Sequence, residues 1–190
     1  MGTVDTIFVL HCVISHMLNE GKQLYCAFID FTKAFDYIVH ENLWSKLIKL
    51  GIRGKTLNII KSMYQSVKSR VKLQGQLSNA FSCALGVRQG ESLSPFLFSM
   101  FLNDIEEVFI KNGLPGIDLD MFILFLTLYA YDIVIFANRQ DELPNSLNAL
   151  QEYCFKWKQA FSVKRYPPPM MACLWLMACL CMKVFMFMCN

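Results

Sequence analysis

The chain has 190 residues, 55% of them apolar and 17% charged, against ordinary values of roughly 45–50% and about 25%. This excludes intrinsic disorder over most of the length and argues for about one domain. The net charge of +3 is too small to imply a nucleic-acid partner by itself, but its distribution is uneven: between Asn42 and Gly90 there is no Asp or Glu, while Lys46, Lys49, Arg53, Lys55, Lys61, Lys68, Arg70, Lys72 and Arg88 are basic. Such a stretch reads either as a solvated face or as a stripe for a polyanion.

Taken in order, Ile7, Leu10, Ile14, Met17 and Leu18 recur at helical spacing, with Thr3 or Asp5 as N-cap and Gly21 where the helix ends. Gln23–Phe31 is a short apolar and aromatic run of strand length that finishes beside an acid, Asp30. Helices are predicted over Asn42–Leu50, stopped by Gly51, and over Lys55–Val67. Arg70–Val87 alternates around Gly75 and Ser78-Asn79, which predicts two strands joined by a turn. Ser94-Pro95 places an N-cap before a proline, and Leu97, Met100, Phe101, Ile105 and Val108 give one helical stripe from Ser94 to Val108. Apolar runs at Met121–Leu128 and Ile133–Ala137 flank Tyr129-Ala130-Tyr131-Asp132, which predicts a β-hairpin with a polar tip. Leu147, Leu150, Cys154 and Trp157 form a last helical stripe. Helices and strands alternate without a strict βαβ rhythm, so the expected class is α+β.

The chemistry-bearing residues are few. Asp30 is a lone carboxylate at the end of an apolar strand, and Asp132 lies at a hairpin tip. Each reads as a turn or cap residue, or as one of the one or two carboxylates that hold Mg²⁺ together with substrate phosphates. Two such groups on neighbouring strand ends would suit phosphoryl transfer by metals. Gly86–Leu93 (GVRQGESL) is a glycine-punctuated loop entering a helix, a geometry open to anions or to close backbone approach. The body cysteines, Cys12, Cys26, Cys83 and Cys154, are far apart in apolar contexts without zinc spacing and are expected to be reduced core residues. The chain does not open on a signal peptide, so the expected location is intracellular, in cytoplasm or nucleus.

Three segments carry a family resemblance. Asp30–Leu43 (DFTKAFDYIVHENL), Leu85–Ile105 (LGVRQGESLSPFLFSMFLNDI) and Leu128–Ala137 (LYAYDIVIFA) resemble, in order and spacing, motifs A, B and C of the reverse transcriptases of non-LTR, LINE-type retrotransposons. The upstream TVDTIFVL and downstream LQEYCFKW are similar to the same family, so the resemblance covers roughly residues 3–158. It implies an α+β palm with partial fingers and a small antiparallel sheet backed by helices, with the family's thumb expected to be absent from this chain. The implied function is RNA-templated DNA synthesis with Mg²⁺, an RNA template, a DNA primer and deoxynucleoside triphosphates.

Motif by motif, the resemblance makes Asp30 the metal-binding aspartate of motif A and Phe35 the aromatic residue under the incoming sugar. Gln89 and Gly90 become the loop that holds template and nucleotide, and Asp132 the second aspartate of the family's YADD hairpin. Lys55, Lys61, Lys68, Arg70, Lys72 and Arg88 are then expected along a template or primer backbone. In this chain YADD reads Tyr129-Ala130-Tyr131-Asp132, so Tyr131 replaces the first hairpin aspartate. A phenol, with a pKa of about 10, is neutral at pH 7 and supplies no anionic oxygen. The expectation is a chain with impaired polymerase activity: a non-catalytic nucleic-acid-binding remnant is the alternative.

The domain expectation is a partial reverse transcriptase over 1–160 and a separate tail over 161–190. After Pro167-Pro168-Pro169, Met170–Cys189 is apolar apart from Lys183 and repeats MACL. Three readings stay open for it: a degenerate extension, an apolar helix packed on the palm, or a membrane anchor.

Overall fold

The computed structural model describes residues 3–129, 132–163 and 186–188. Tyr131, the proline run and most of the apolar tail lie outside the described residues. In chain order the elements are α1 (Thr3–Asn19), β1 (Tyr25–Phe31), α2 (His40–Lys49), α3 (Gly54–Tyr64), β2 (Lys68–Ser69), β3 (Lys72–Leu73), β4 (Gln76–Leu77) and β5 (Phe81–Ser82). There follow α4 (Leu93–Leu102), α5 (Ile105–Lys111), β6 (Ile117–Asp118), β7 (Ile123–Leu124), β8 (Leu126–Tyr129), β9 (Asp132–Ala137), α6 (Leu143–Trp157), β10 (Phe161–Val163) and β11 (Met186–Met188). They divide into two compact units, one of residues 1–32 with 104–190, the other of residues 33–103.

The first unit is built on an antiparallel sheet in the order β10-β1-β9-β8, with β11 also paired to β1. β10 runs along Ile29–Phe31 and β11 along Tyr25–Ala27, so the two share one side of β1. Of the apolar run Met170–Cys189, residues 186–188 are described, and they form β11. Among the described residues no helix is long and apolar enough to cross a membrane.

Register explains why β1 reads as a nearly continuous apolar run. Ala27, Ile29 and Phe31, with their partners Ile133 and Ile135, form one face and are all buried, and α6 packs against β1 and β9. On the opposite face Cys26 lies beside Phe136 and Phe28 beside Val134. Cys26, Val134 and Phe136 pack with Val13 and Met17 of α1 and with Ile117. α1 covers that face at one end: Cys26 and Phe136 are buried, whereas Asp30 and Asp132 at the other end are half-exposed. A strand buried on both faces loses the alternation that marks a half-exposed one.

α6 begins with a proline in its first turn and ends at Lys158, whose left-handed conformation (φ 57°) closes the helix. In the same unit Tyr153 donates to Asp104 at 2.7 Å, and burial with this bond pushes the phenol's pKa well above its ordinary value.

The second unit packs α2 against α3 and α4. Ile38, Leu43, Leu47, Leu97, Phe98 and Phe101 form its fully buried centre. Lys46 is buried among them at 2% exposure. Its Nζ donates to the Phe101 carbonyl at 2.5 Å in the last turn of α4 and lies 4.6 Å from the Phe101 ring centroid. A cation there satisfies carbonyls that the helix end leaves open.

Two elements differ from the sequence expectation. The stripe from Ser94 to Val108 is two helices: α4 stops at Leu102 and α5 starts at Ile105. Nor is Ser94 a cap, because its hydroxyl donates to the Arg88 carbonyl at 2.5 Å from inside the first turn. The strands around Gly75 do form a hairpin, but in two short pieces, β3 with β4 inside and β2 with β5 outside. Gln74 and Gly75 both take positive φ (47° and 84°), the backbone that a two-residue hairpin turn demands. Of the four body cysteines only Cys26 and Cys154 are core residues. Cys12 is exposed, and the half-buried Cys83 thiol meets the Ser69 hydroxyl at 3.1 Å.

Candidate functional site

In the first unit, strand register places the two candidate carboxylates. Asp30 is the direct partner of Asp132 across β1 and β9, and on its other side it faces Ser162 of β10. Directly opposed residues of antiparallel strands project from the same face, with Cβ atoms about 4.5–5.5 Å apart. Two carboxylates held so close repel each other, which favours a cation between them. The donor set is hard oxygen and suits a divalent ion of the Mg²⁺ type, completed by phosphate oxygens. Among the described residues no group of three or more His, Cys, Asp or Glu side chains is placed to hold a metal. The pair at 30 and 132 therefore fits such an ion only with oxygens from elsewhere.

The second unit holds the loop. After Lys33, itself at positive φ (50°), the chain turns with Asp36 N–H donating to the Lys33 carbonyl at 2.9 Å. Phe35 in this turn is half-buried, its ring 5.3 Å from that of Phe98. Residues 86–91 are tied to it by several bonds. Gly86 N–H donates to Ile38 O at 2.8 Å, and Val87 N–H donates to Phe35 O at 2.7 Å. His40 Nε2 lies 2.7 Å from Gly86 O, and Gln89 Nε2 donates to Asp36 Oδ1 at 2.9 Å. Gly86 must be glycine twice over: its φ is +83°, and a Cβ there would lie 2.7 Å from the Phe35 carbonyl oxygen. Gly90 also takes positive φ (86°) and faces open space, next to the exposed Gln89.

The basic stripe does not behave as one set. Lys55, Lys68, Arg70 and Lys72 are exposed, and Lys61 is half-buried. Arg88 turns inward instead: its guanidinium donates to the Met63 carbonyl at 2.6 Å and pairs with Glu91 at 2.7 Å, and it lies 5.8 Å from the Tyr64 ring centroid. The hydrogen bond to Glu91 raises its pKa further above the ordinary value. Lys46, from the same acid-free stretch, is buried.

Sequence reasoning missed Asp36, His40 and Tyr64. His40 packs edge-on against Tyr64, with ring centroids 5.3 Å apart. Only its place within Asp30–Leu43 could have singled it out. These residues and Arg88 also line a groove of about 990 Å³, which opens between the end of α3, the outer hairpin arms and the 86–91 loop.

Residues 2–165 match the family described as reverse transcriptase (RNA-dependent DNA polymerase). The chain belongs to this family. It is 31% identical over 157 residues to the RNA-directed DNA polymerase from mobile element jockey of Drosophila funebris, covering 78% of this chain and 16% of that one. It is 26% identical over 147 residues to the retrovirus-related Pol polyprotein of a type-1 retrotransposable element R2 of Popillia japonica, covering 77% and 24%. The chain thus spans a quarter or less of these retrotransposon reverse transcriptases. Its fold is that of telomerase from Candida albicans, with TM-score 0.63 and 15% identity over 86% of this chain and 31% of that one. Telomerase from Candida tropicalis gives TM-score 0.58 at 16% identity, covering 88% and 36%. The α+β palm and partial fingers expected from the sequence are the fold observed, and the reverse transcriptase family as a whole works with divalent metal.

Proposed function

We propose that this chain is the palm and part of the fingers of a LINE-type retrotransposon reverse transcriptase, a catalyst of RNA-templated DNA synthesis whose nucleotidyl transfer is impaired by Tyr131. The observation that carries this reading is the register pairing of Asp30 with Asp132 at the open end of a sheet face. Asp30 and Asp132 would hold Mg²⁺, which on binding supplies charge stabilisation to the attacking and leaving oxygens. Phe35 would pack below the incoming sugar, and Gln89 and Gly90 would hold the template base and deoxynucleoside triphosphate. Lys55, Lys61, Lys68, Arg70 and Lys72 would contact phosphates of the RNA template and DNA primer. Tyr131 offers no anionic oxygen at neutral pH, so one carboxylate of the metal set is missing.

The test is Mg²⁺-dependent primer extension on an RNA template, with the parent chain, its Tyr131→Asp variant and the same variant carrying Asp30→Ala. Extension by Tyr131→Asp alone is the expected result. Extension by the parent at the same rate would overturn the impairment, and extension that survives Asp30→Ala would overturn the site.

A second reading, a non-catalytic nucleic-acid-binding remnant, is favoured by the exposed Lys55, Lys68, Arg70 and Lys72 in a stretch without acids. It predicts RNA binding that falls linearly with the logarithm of salt and no extension by either Tyr131 form.

A further inference from the structure

Polymerase chemistry leaves the apolar run after the prolines without a role, and its described residues fall at one place, β11 on the edge of β1. In an antiparallel sheet, alternate residues of a strand turn their backbone N–H and C=O to alternate neighbours. Two bonds fix which way β1 turns. Phe136 N–H donates to the Phe125 carbonyl at 2.9 Å, so the even-numbered residues of β9 serve β8, and Ile135 serves its partner Ala27. Thr32 N–H donates to the Ala160 carbonyl at 2.8 Å, in register with Asp30 opposite Ser162, so the even-numbered residues of β1 serve the β10 edge. Both give the same answer: Cys26 turns its N–H and C=O away from β9.

Cys26 is 3% exposed, and buried backbone groups are almost always paired. β10 does not reach them, because it ends with Val163 opposite Ile29. β11 takes up the edge further on, with Met186 opposite Ala27 and Phe187 opposite Cys26, so the two strands lie in one line along β1 with only Phe28 between them. This register makes Phe187 the residue that exchanges backbone bonds with Cys26. A strand that simply ran on from Val163 would bring Lys164, Arg165 and Pro167 to an edge beside the buried Cys26 and Ala27, two charges and a residue without an N–H. Met186–Met188 brings three apolar residues, each with its N–H. Left open, an apolar edge of this kind is a template for another chain. At the opposite edge of the sheet α1 packs against β8.

We propose that the Tyr25–Ala27 edge is a strand-acceptor site, that its occupant is this chain's own Met186–Met188, and that the tail so placed caps the sheet against pairing with a second copy. The tail then acts as a strand, not as a packed helix or a membrane anchor.

The experiment places proline at two tail positions that differ in register. Phe187→Pro removes the N–H that meets the Cys26 carbonyl, whereas Met188→Pro removes one that points away from β1. Hydrogen–deuterium exchange of the Cys26 amide, read by NMR, and sedimentation velocity are followed for the full-length parent and both variants over a range of protein concentration. Unchanged exchange at Ile133 and Ile135, which pair with β1 from the β9 side, shows that the sheet stays folded in each. The parent should be monomeric, with Cys26 protection independent of concentration. Phe187→Pro should speed Cys26 exchange about fivefold to tenfold at low concentration. As its concentration rises it should associate, with Cys26 protection recovering as open edges pair. Met188→Pro should match the parent in both measurements. Parent-like exchange in Phe187→Pro, or equally fast exchange in both variants, would overturn the acceptor site. A parent whose Cys26 protection rises with concentration would overturn the chain's own tail as occupant and assign the strand to a second copy. No association by Phe187→Pro would overturn the cap. So would association that leaves Cys26 exchanging fast, because the released apolar tail would then be the part that sticks.

Discussion

The carboxylate end of the sheet and the 86–91 loop both fall within segments that resemble the family's motifs, yet they are held in place by different physics. Asp30 and Asp132 are set by backbone register alone: once Ala27 lies opposite Ile135 and Ile29 opposite Ile133, Asp30 must face Asp132. The loop adds to two backbone bonds, from Gly86 and Val87, the individual side chains of His40, Gln89, Arg88 and Ser94 and the lack of a side chain at Gly86. A site fixed by register tolerates changes to its own side chains without losing shape. One fixed by side chains does not.

The largest expected effect separates function from structure at the register end. In the Tyr131→Asp background, Asp30→Ala should lower primer extension by at least about a thousandfold, since metal-borne charge stabilisation is worth several kcal/mol. The same substitution should leave the melting temperature unchanged or raise it, because it removes a like-charge pair. The loop should respond in the opposite sense. Gly86→Ala should destabilise the protein by about 2–4 kcal/mol, read by urea titration, through its positive φ and the contact with the Phe35 carbonyl.

Between these lies the buried cation. Lys46→Ala should cost about 2–3 kcal/mol by the same titration, and Lys46→Met clearly less, because it keeps the aliphatic volume while giving up the bond to the Phe101 carbonyl. Tyr153→Phe sharpens the contrast in the first unit through pH. The phenol's pKa is raised in the folded state, so its contribution is fully present below about pH 10 and is lost progressively above it, as the unfolded chain ionises first. The variant should be about 1 kcal/mol less stable at pH 8, and the difference should shrink in melts taken at rising pH above about 10. Arg88→Lys, the smallest change, should lower the melting temperature slightly by giving up the paired contacts to Met63 and Glu91.

The register end was legible from the sequence and the loop's supports were not. Asp30 could be found because an acid ending the run YCAFIDF has few explanations, and the ordered motifs A, B and C identified the palm. Lys55 and Lys68 are exposed while Lys46 is buried and Arg88 is tied to Met63 and Glu91, a difference charge counting does not see because it treats every basic residue alike. What separates them is a partner far along the chain: the Met63 carbonyl lies 25 residues from Arg88, and the Phe101 carbonyl 55 residues from Lys46. The break between α4 and α5 was hidden for a related reason, because the apolar stripe continues across Asn103-Asp104 with no proline or glycine to announce a stop.

The uneven covering of one sheet face by α1 bears on how such a protein ages under mutation. Folding depends on the covered end, at Cys26 and Phe136, while copying would depend on the open end, at Asp30 and Asp132. Selection on the two can therefore be relaxed separately. In a lineage released from the need to copy RNA, acids at the open end can drift away with little penalty, and what persists is a sound fold around a silent centre.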